Sequence, residues 1–94
     1  MNNFTSNFIY SSDFVKLMLE NKFVDINMVN KFGLNSFWVA CKYGHGGVMK
    51  VLAENGINIF NTNHKENNVL HVAAKKNYVN IVKMLIKSDF PLDL

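Results

Sequence analysis

Displaced by 33 residues, the chain falls on itself: segment 25–57 lies over 58–90 without a gap. Eight pairs are identical: Ile26/Ile59, Asn30/Asn63, Asn35/Asn68, Val39/Val72, Ala40/Ala73, Lys42/Lys75, Lys50/Lys83 and Leu52/Leu85. Chance would give about two or three. Apolar character is kept at Phe37/Leu70, Val48/Ile81, Val51/Met84 and Ile57/Phe90. A partial third copy lies upstream, where Phe14-Val15-Lys16-Leu17-Met18-Leu19 matches Ile81-Val82-Lys83-Met84-Leu85-Ile86 at a shift of 67 residues. That is two periods plus one residue, and the extra residue falls near Val24, in a connection where insertions are tolerated. A period of this length predicts stacked supersecondary units, none of which can bury its apolar side alone.

Within each unit the pattern predicts two short helices. Asn68 can cap a first helix over 69–76 that stops at Asn77. Asn77 stands where Gly44 stands in the preceding copy, and both residue types accept the left-handed backbone that ends a helix. A second helix is predicted over 79–87, with apolar residues at Ile81, Val82, Leu85 and Ile86 in helical spacing. The small pairs Ala40-Cys41 and Ala73-Ala74 permit close helix approach. The polar, Asn-rich stretches 25–33 and 58–66 suit turns between units.

Asp25-Ile26-Asn27, then Asn30 through Asn35-Ser36-Phe37-Trp38-Val39-Ala40-Cys41-Lys42-Tyr43-Gly44-His45, resembles an ankyrin repeat. Asn68-Val69-Leu70-His71-Val72-Ala73-Ala74 followed by Ile81–Ile86 is similar to the same pattern. The resemblance implies an all-α ankyrin-repeat solenoid of helix-turn-helix units with hairpin-like turns. It divides the single domain 1–94 into a partial repeat 1–24, repeats 25–57 and 58–90, and the start of another at 91–94. There are departures. The family's Thr-Pro helix opening is Asn35-Ser36 and Asn68-Val69 here. Its turn glycine is present as Gly33 but replaced by Glu66, so the second hairpin turn is expected to be distorted. Trp38 replaces the family's histidine, which puts that hydrogen-bonding position in question, whereas His71 keeps it.

Composition narrows the function classes. With 49% hydrophobic residues, 13% aromatic and 18% charged, the chain can bury a core and is not a disordered segment. No apolar run approaches the roughly 20 residues of a spanning helix, and the start lacks the pattern of a signal peptide. The single Cys41 cannot make an internal disulfide, so the expected setting is intracellular, in the cytoplasm. The net charge of +3 comes from ten lysines with no arginine. That is a weak footprint for nucleic acid or anionic membrane, and it lacks the bidentate contacts arginine makes. The fifteen asparagines read as turn residues in part and compositional drift in part.

No catalytic residue, metal site or cofactor is expected. Cys41 and His45 are four apart, but Gly44 breaks the helix between them and no further ligand lies at zinc spacing. Cys41 stands where Ala74 stands and reads as a small buried residue. His64 is a lone histidine. Gly44-His45-Gly46-Gly47 lacks the preceding strand and the Lys-Ser/Thr ending of a phosphate loop, and reads as an inter-helix turn.

What the resemblance implies is non-catalytic recognition of another protein through a concave face of hairpin tips and first helices. Carried over by alignment, the partner-binding positions are Lys31, Phe32, Leu34, Lys42 and Tyr43 in the first full repeat, and His64, Lys65, Asn67, Lys75 and Lys76 in the second. In the first set Phe32, Leu34 and Tyr43 have no structural need to be apolar, while the second set is basic. The expected partner segment is therefore apolar at one end and acidic at the other. Alternative readings are a regulatory or targeting segment of a larger enzyme or channel, and a lysine-rich surface for anionic membrane or nucleic acid. The last helix pair carries Val79, Val82 and Ile86 without a polar capping unit. The expectation is that the protein continues past Leu94, or that this end is covered by another chain, including a second copy.

Overall fold

The computed structural model describes residues 12–22 and 24–88. Five helices follow in order: α1 (Ser12–Glu20), α2 (Ser36–Lys42), α3 (Gly46–Glu54), α4 (Val69–Lys75) and α5 (Val79–Lys87). Among the described residues there is no strand beyond an isolated antiparallel bridge between Val29 and Asn35. Residues 1–11 of the expected partial repeat, the start of a further repeat at 91–94 and the Phe90 counterpart of Ile57 all lie outside the described residues. Two layers form: α2 and α4 pack side by side, and α3 packs against α1, α2 and α5. The helix pairs α2–α3 and α4–α5 are the two copies seen in the sequence.

Helix α2 is too short to be stable alone. All six residues Ser36–Cys41 are buried, and α2 packs on both α3 of its own unit and α4 of the next. Phe37, Met49, Leu52 and Val15 are the large side chains at the centre of the core. The start of α2 is held by Asn35, whose Oδ1 accepts from the Trp38 backbone N–H at 3.0 Å. Asn68 repeats that cap at α4, its Oδ1 accepting from the His71 N–H at 3.0 Å. Here the His71 Nδ1 also accepts from the Asn68 N–H at 3.0 Å, closing a reciprocal pair.

Helix ends follow the predicted left-handed rule. Gly44 has φ +78° and Asn77, at the same place in the next unit, φ +60°. At the ends of the second helices, Gly56 and its upstream counterpart Lys22 take φ +84° and +57°. The hairpin turn at Glu66 differs from expectation. Rather than distorting, it copies the Gly33 turn: Glu66 adopts φ +62° against +77° for Gly33. The N–H of each donates 2.9 Å to the carbonyl of Asn30 or Asn63, respectively. The turn survives because the asparagine three residues earlier supplies two further bonds. Asn63 Oδ1 accepts from the N–H groups of Lys65 and Asn67 at 2.9 and 3.0 Å. Asn30 does the same for Phe32 and Leu34 at 2.9 and 3.1 Å.

Glu66 therefore carries left-handed strain that its counterpart avoids. Glu66→Gly should raise unfolding stability by about 0.5–1 kcal/mol after the entropy of the added glycine is counted. Gly44→Ala should lower it by about 1–2 kcal/mol, since its backbone is left-handed and a Cβ there would sit 3.3 Å from the Tyr78 ring. Urea midpoints at unchanged slope measure both. A Glu66→Gly protein no more stable than the parent would refute the strain argument.

Candidate protein-binding face

Of the ten positions expected at the interface, nine are exposed or half-buried and one is not. Phe32 is 68% exposed on the first hairpin tip and Tyr43 56% exposed at the end of α2. Each ring has a neighbouring lysine over it, with Lys31 Nζ 5.3 Å from the Phe32 centroid and Lys42 Nζ 5.5 Å from that of Tyr43. At exposed sites such pairs contribute about 0.5–1 kcal/mol and hold the lysine close to its ring. Leu34 departs from expectation: only 9% of it is exposed, and it belongs to the core. The reason lies in the stacking. The Gly33 carbonyl accepts from Asn61 Nδ2 at 3.1 Å and the Asn35 N–H donates to Asn61 Oδ1 at 3.0 Å, so the next unit covers this leg of the hairpin. Asn67, its counterpart one unit later, stays half-buried.

The basic set behaves differently. Lys42, Asn67, Lys75 and Lys76 border one groove of about 630 Å³, completed by Trp38, Asn63, His71 and Val72. The groove is thus a lysine-edged trough along α2 and α4, with Trp38 and Val72 as its apolar part. None of its bordering residues carries a carboxylate. Lys31, Phe32, Tyr43, His64 and Lys65 lie outside its wall.

Trp38, Asn63, His71 and Val72 were missed by the sequence reading. In the sequence Trp38 is a departure that puts the family's histidine hydrogen bond in question. Its indole Nε1–H donates 3.0 Å to the Asn67 carbonyl of the next unit. The indole has no acceptor with which to hold the Asn35 N–H as His71 holds that of Asn68, and Asn61 takes that donor instead. Both replacement bonds run between units, so the substitution stitches the two hairpins together. Tyr78 adds a third tie, its hydroxyl donating 3.0 Å to the Lys42 carbonyl.

Cys41 is fully buried between the units, and its thiol donates to the Val69 carbonyl at 3.3 Å. Burial pushes its pKa up to about 12. Among the described residues, no three His, Cys, Asp or Glu side chains converge as metal ligands would. No described helix is long and apolar enough to cross a membrane.

The family model for ankyrin repeats, in three copies, matches residues 5–93. The chain belongs to the ankyrin-repeat family. A relative, an ankyrin repeat protein of Acanthamoeba polyphaga mimivirus, is 31% identical over 78 residues, which is 80% of this chain and 48% of the relative. Among solved structures, the fold is similar to one chain of a complex between the predatory endopeptidase Bd0816 from Bdellovibrio bacteriovorus and immunity protein Bd3460. The TM-score is 0.73 at 19% identity, over 96% of this chain and 50% of that one. This ankyrin chain thus spans about half the length of the proteins it matches. Ankyrin repeats are in general non-catalytic protein–protein interaction modules.

The Cys41 thiol makes stability pH-dependent in a definite direction. In the unfolded chain it ionises near the usual cysteine value of about 8.5, and in the folded chain only near 12. The unfolded state therefore loses its proton first, and this group's contribution to stability falls as pH rises between those values. Cys41→Ala, which copies Ala74, should flatten the alkaline decline by up to about 1.4 kcal/mol per pH unit in that window. Parallel declines for the two proteins in urea titrations at pH 8–11 would rule out a buried, protonated thiol.

Proposed function

We propose that this ankyrin domain recognises a partner protein through the face formed by its hairpin tips and first helices. The bound segment is apolar where it meets Phe32 and Tyr43, and acidic where it meets the lysine-edged groove. The observation that carries this reading is the groove itself, where Lys42, Lys75 and Lys76 surround Trp38 and Val72 with no carboxylate beside them. An acidic segment there gains Coulomb attraction with no lining carboxylate to displace, and its apolar side chains cover Val72 and the lysine stems. Leu34 has no part in the face, being committed to the core. On this reading residues 1–94 form one domain of a longer protein, acting in the cytoplasm by binding rather than by catalysis.

With the captured partner in hand, Phe32→Ala or Tyr43→Ala should cost about 1–3 kcal/mol of binding and leave the helical circular dichroism unchanged. Lys75→Glu with Lys76→Glu should chiefly slow association and flatten its salt dependence. Should all four changes leave partner binding untouched, this face is not the site. Binding to heparin or anionic vesicles that rivals binding to protein would instead favour a general anionic surface.

Where no further repeat covers the α4–α5 unit, self-association is part of the same proposal. Val79 and Ile86 are 52% and 49% exposed on α5, and Val82 is half-buried where its counterpart Met49 is fully buried. An apolar face of this kind is expected to pair with that of a second copy. Sedimentation should show a mass that rises with concentration and returns to monomer in Val79→Lys with Ile86→Lys. A parent protein that is monomeric at every concentration would count against it.

A further inference from the structure

A second recess lies on the opposite layer, among the second helices. Between α3 and α5 runs a slot of about 300 Å³ walled by Phe37, Met49, Ala53, Ile59, Met84 and Leu85. It joins a hollow of about 580 Å³ with which it shares Lys50, Met84 and Ser88, and which adds Lys83 and Lys87. The result is one trough with an apolar end and a lysine end.

Its origin can be read residue by residue. Ala53 occupies the position held by Leu19 in the leading unit and by Ile86 in the last. The middle unit alone has lost the branched side chain, and α3 packs less closely on α5 than on α1. Two of the walls are methionines, whose flexible thioethers adapt to different shapes. Lys50 and Lys83 are one repeat position in two successive copies, and both are exposed. Lys87, one turn beyond Lys83, brings a third ammonium group to the same hollow. No carboxylate lines that hollow, and the slot has only Glu54 at its edge.

We propose that this trough is a second binding surface, for a peptide segment of a partner protein that carries one bulky apolar side chain beside several acidic ones. The apolar side chain enters the slot over Ala53, and the carboxylates lie along Lys50, Lys83 and Lys87. The slot takes a single large side chain and buries it against Phe37 and Leu85, while the lysines match the sign of the flank. With the first-helix groove on the other layer, the domain would hold two protein segments at once and act as a bridge between them.

The test uses the whole chain and a defined probe: a short capped peptide with one phenylalanine flanked by glutamates, followed by fluorescence anisotropy. Saturable binding is expected. It should weaken about tenfold or more when the probe's phenylalanine becomes alanine, and equally in Ala53→Leu, which fills the slot. Lys50→Glu with Lys83→Glu should weaken binding and flatten its salt dependence. The resonances that shift with probe separate this trough from the first-helix groove, so either surface can fail without the other. Thermal melts establish that Ala53→Leu folds, and Ala53→Met replaces it if it does not. In the unsubstituted protein, the amide resonances that move with probe should be those of Ala53, Ile59 and Met84. Absence of saturable binding overturns the proposal, as does binding indifferent to both Ala53 substitutions. So do shifts confined to Lys42 and Val72, or binding of phosphatidylserine vesicles that is as tight as probe binding and indifferent to Ala53.

Discussion

Short helices joined by hairpins leave many backbone N–H and C=O groups without a ladder to join, and each that is buried must find a partner. In this chain asparagine side chains meet that requirement, and the rest of the solenoid depends on them. Asn30 and Asn63 close their hairpins from within, each Oδ1 accepting two backbone N–H groups. Asn35 works between units: its Oδ1 caps α2, its Nδ2 donates 2.9 Å to the Asn58 carbonyl, and its N–H is held by Asn61. One buried amide therefore fixes a helix start, the register of the next hairpin and the spacing of two units. An isolated seven-residue helix such as α2 would not persist without that cap and the packing it aligns.

The same network explains how the chain tolerates its departures from the family. Glycine at the turn and histidine in the first helix each satisfy a local need, one conformational and one a hydrogen bond. Where Glu66 replaces glycine, the two bonds to Asn63 outweigh a left-handed penalty of about 1 kcal/mol. Where Trp38 replaces histidine, the lost intra-unit bond is exchanged for two that cross to the next unit. Local irregularity has been moved into the inter-unit contacts. Those contacts are where a solenoid's cooperativity resides.

This division sets what could be read in advance. The helix pairs, the left-handed residues Gly44 and Asn77, and the run of α5 over Val79–Lys87 follow from periodicity and residue type, which act over a few positions. Burial of Leu34 does not, because it depends on a hairpin 26 residues away in sequence covering the leg that carries it. Reading Leu34 as an exposed anchor treated one repeat as though it stood alone. The groove was half legible for the same reason. Lys42, Lys75 and Lys76 come from alignment within the repeat, whereas Trp38 and Val72 join them only once α2 and α4 lie side by side. Asparagines read only as turn or cap residues also tie one unit to the next, as Asn35 and Asn61 do. That signal was present in the identities Asn30/Asn63 and Asn35/Asn68, which no helix period explains.

Lysine without arginine then acquires a physical meaning on both faces. An ammonium group is a mobile point charge, strongly hydrated, and it does not grip a carboxylate in the fixed two-point geometry of guanidinium. Lysines around the first-helix groove and along the second-helix trough can hasten encounter with acidic segments but add little directional selectivity. Discrimination must come from what the charges surround. On the first layer that is half-buried Val72 beside the buried Trp38 ring, with the exposed rings of Phe32 and Tyr43 beside their own lysines. On the second it is a slot whose shape follows from one missing side chain at Ala53. If the two surfaces bind as proposed, filling or emptying a single apolar position would retarget either one without touching its charge.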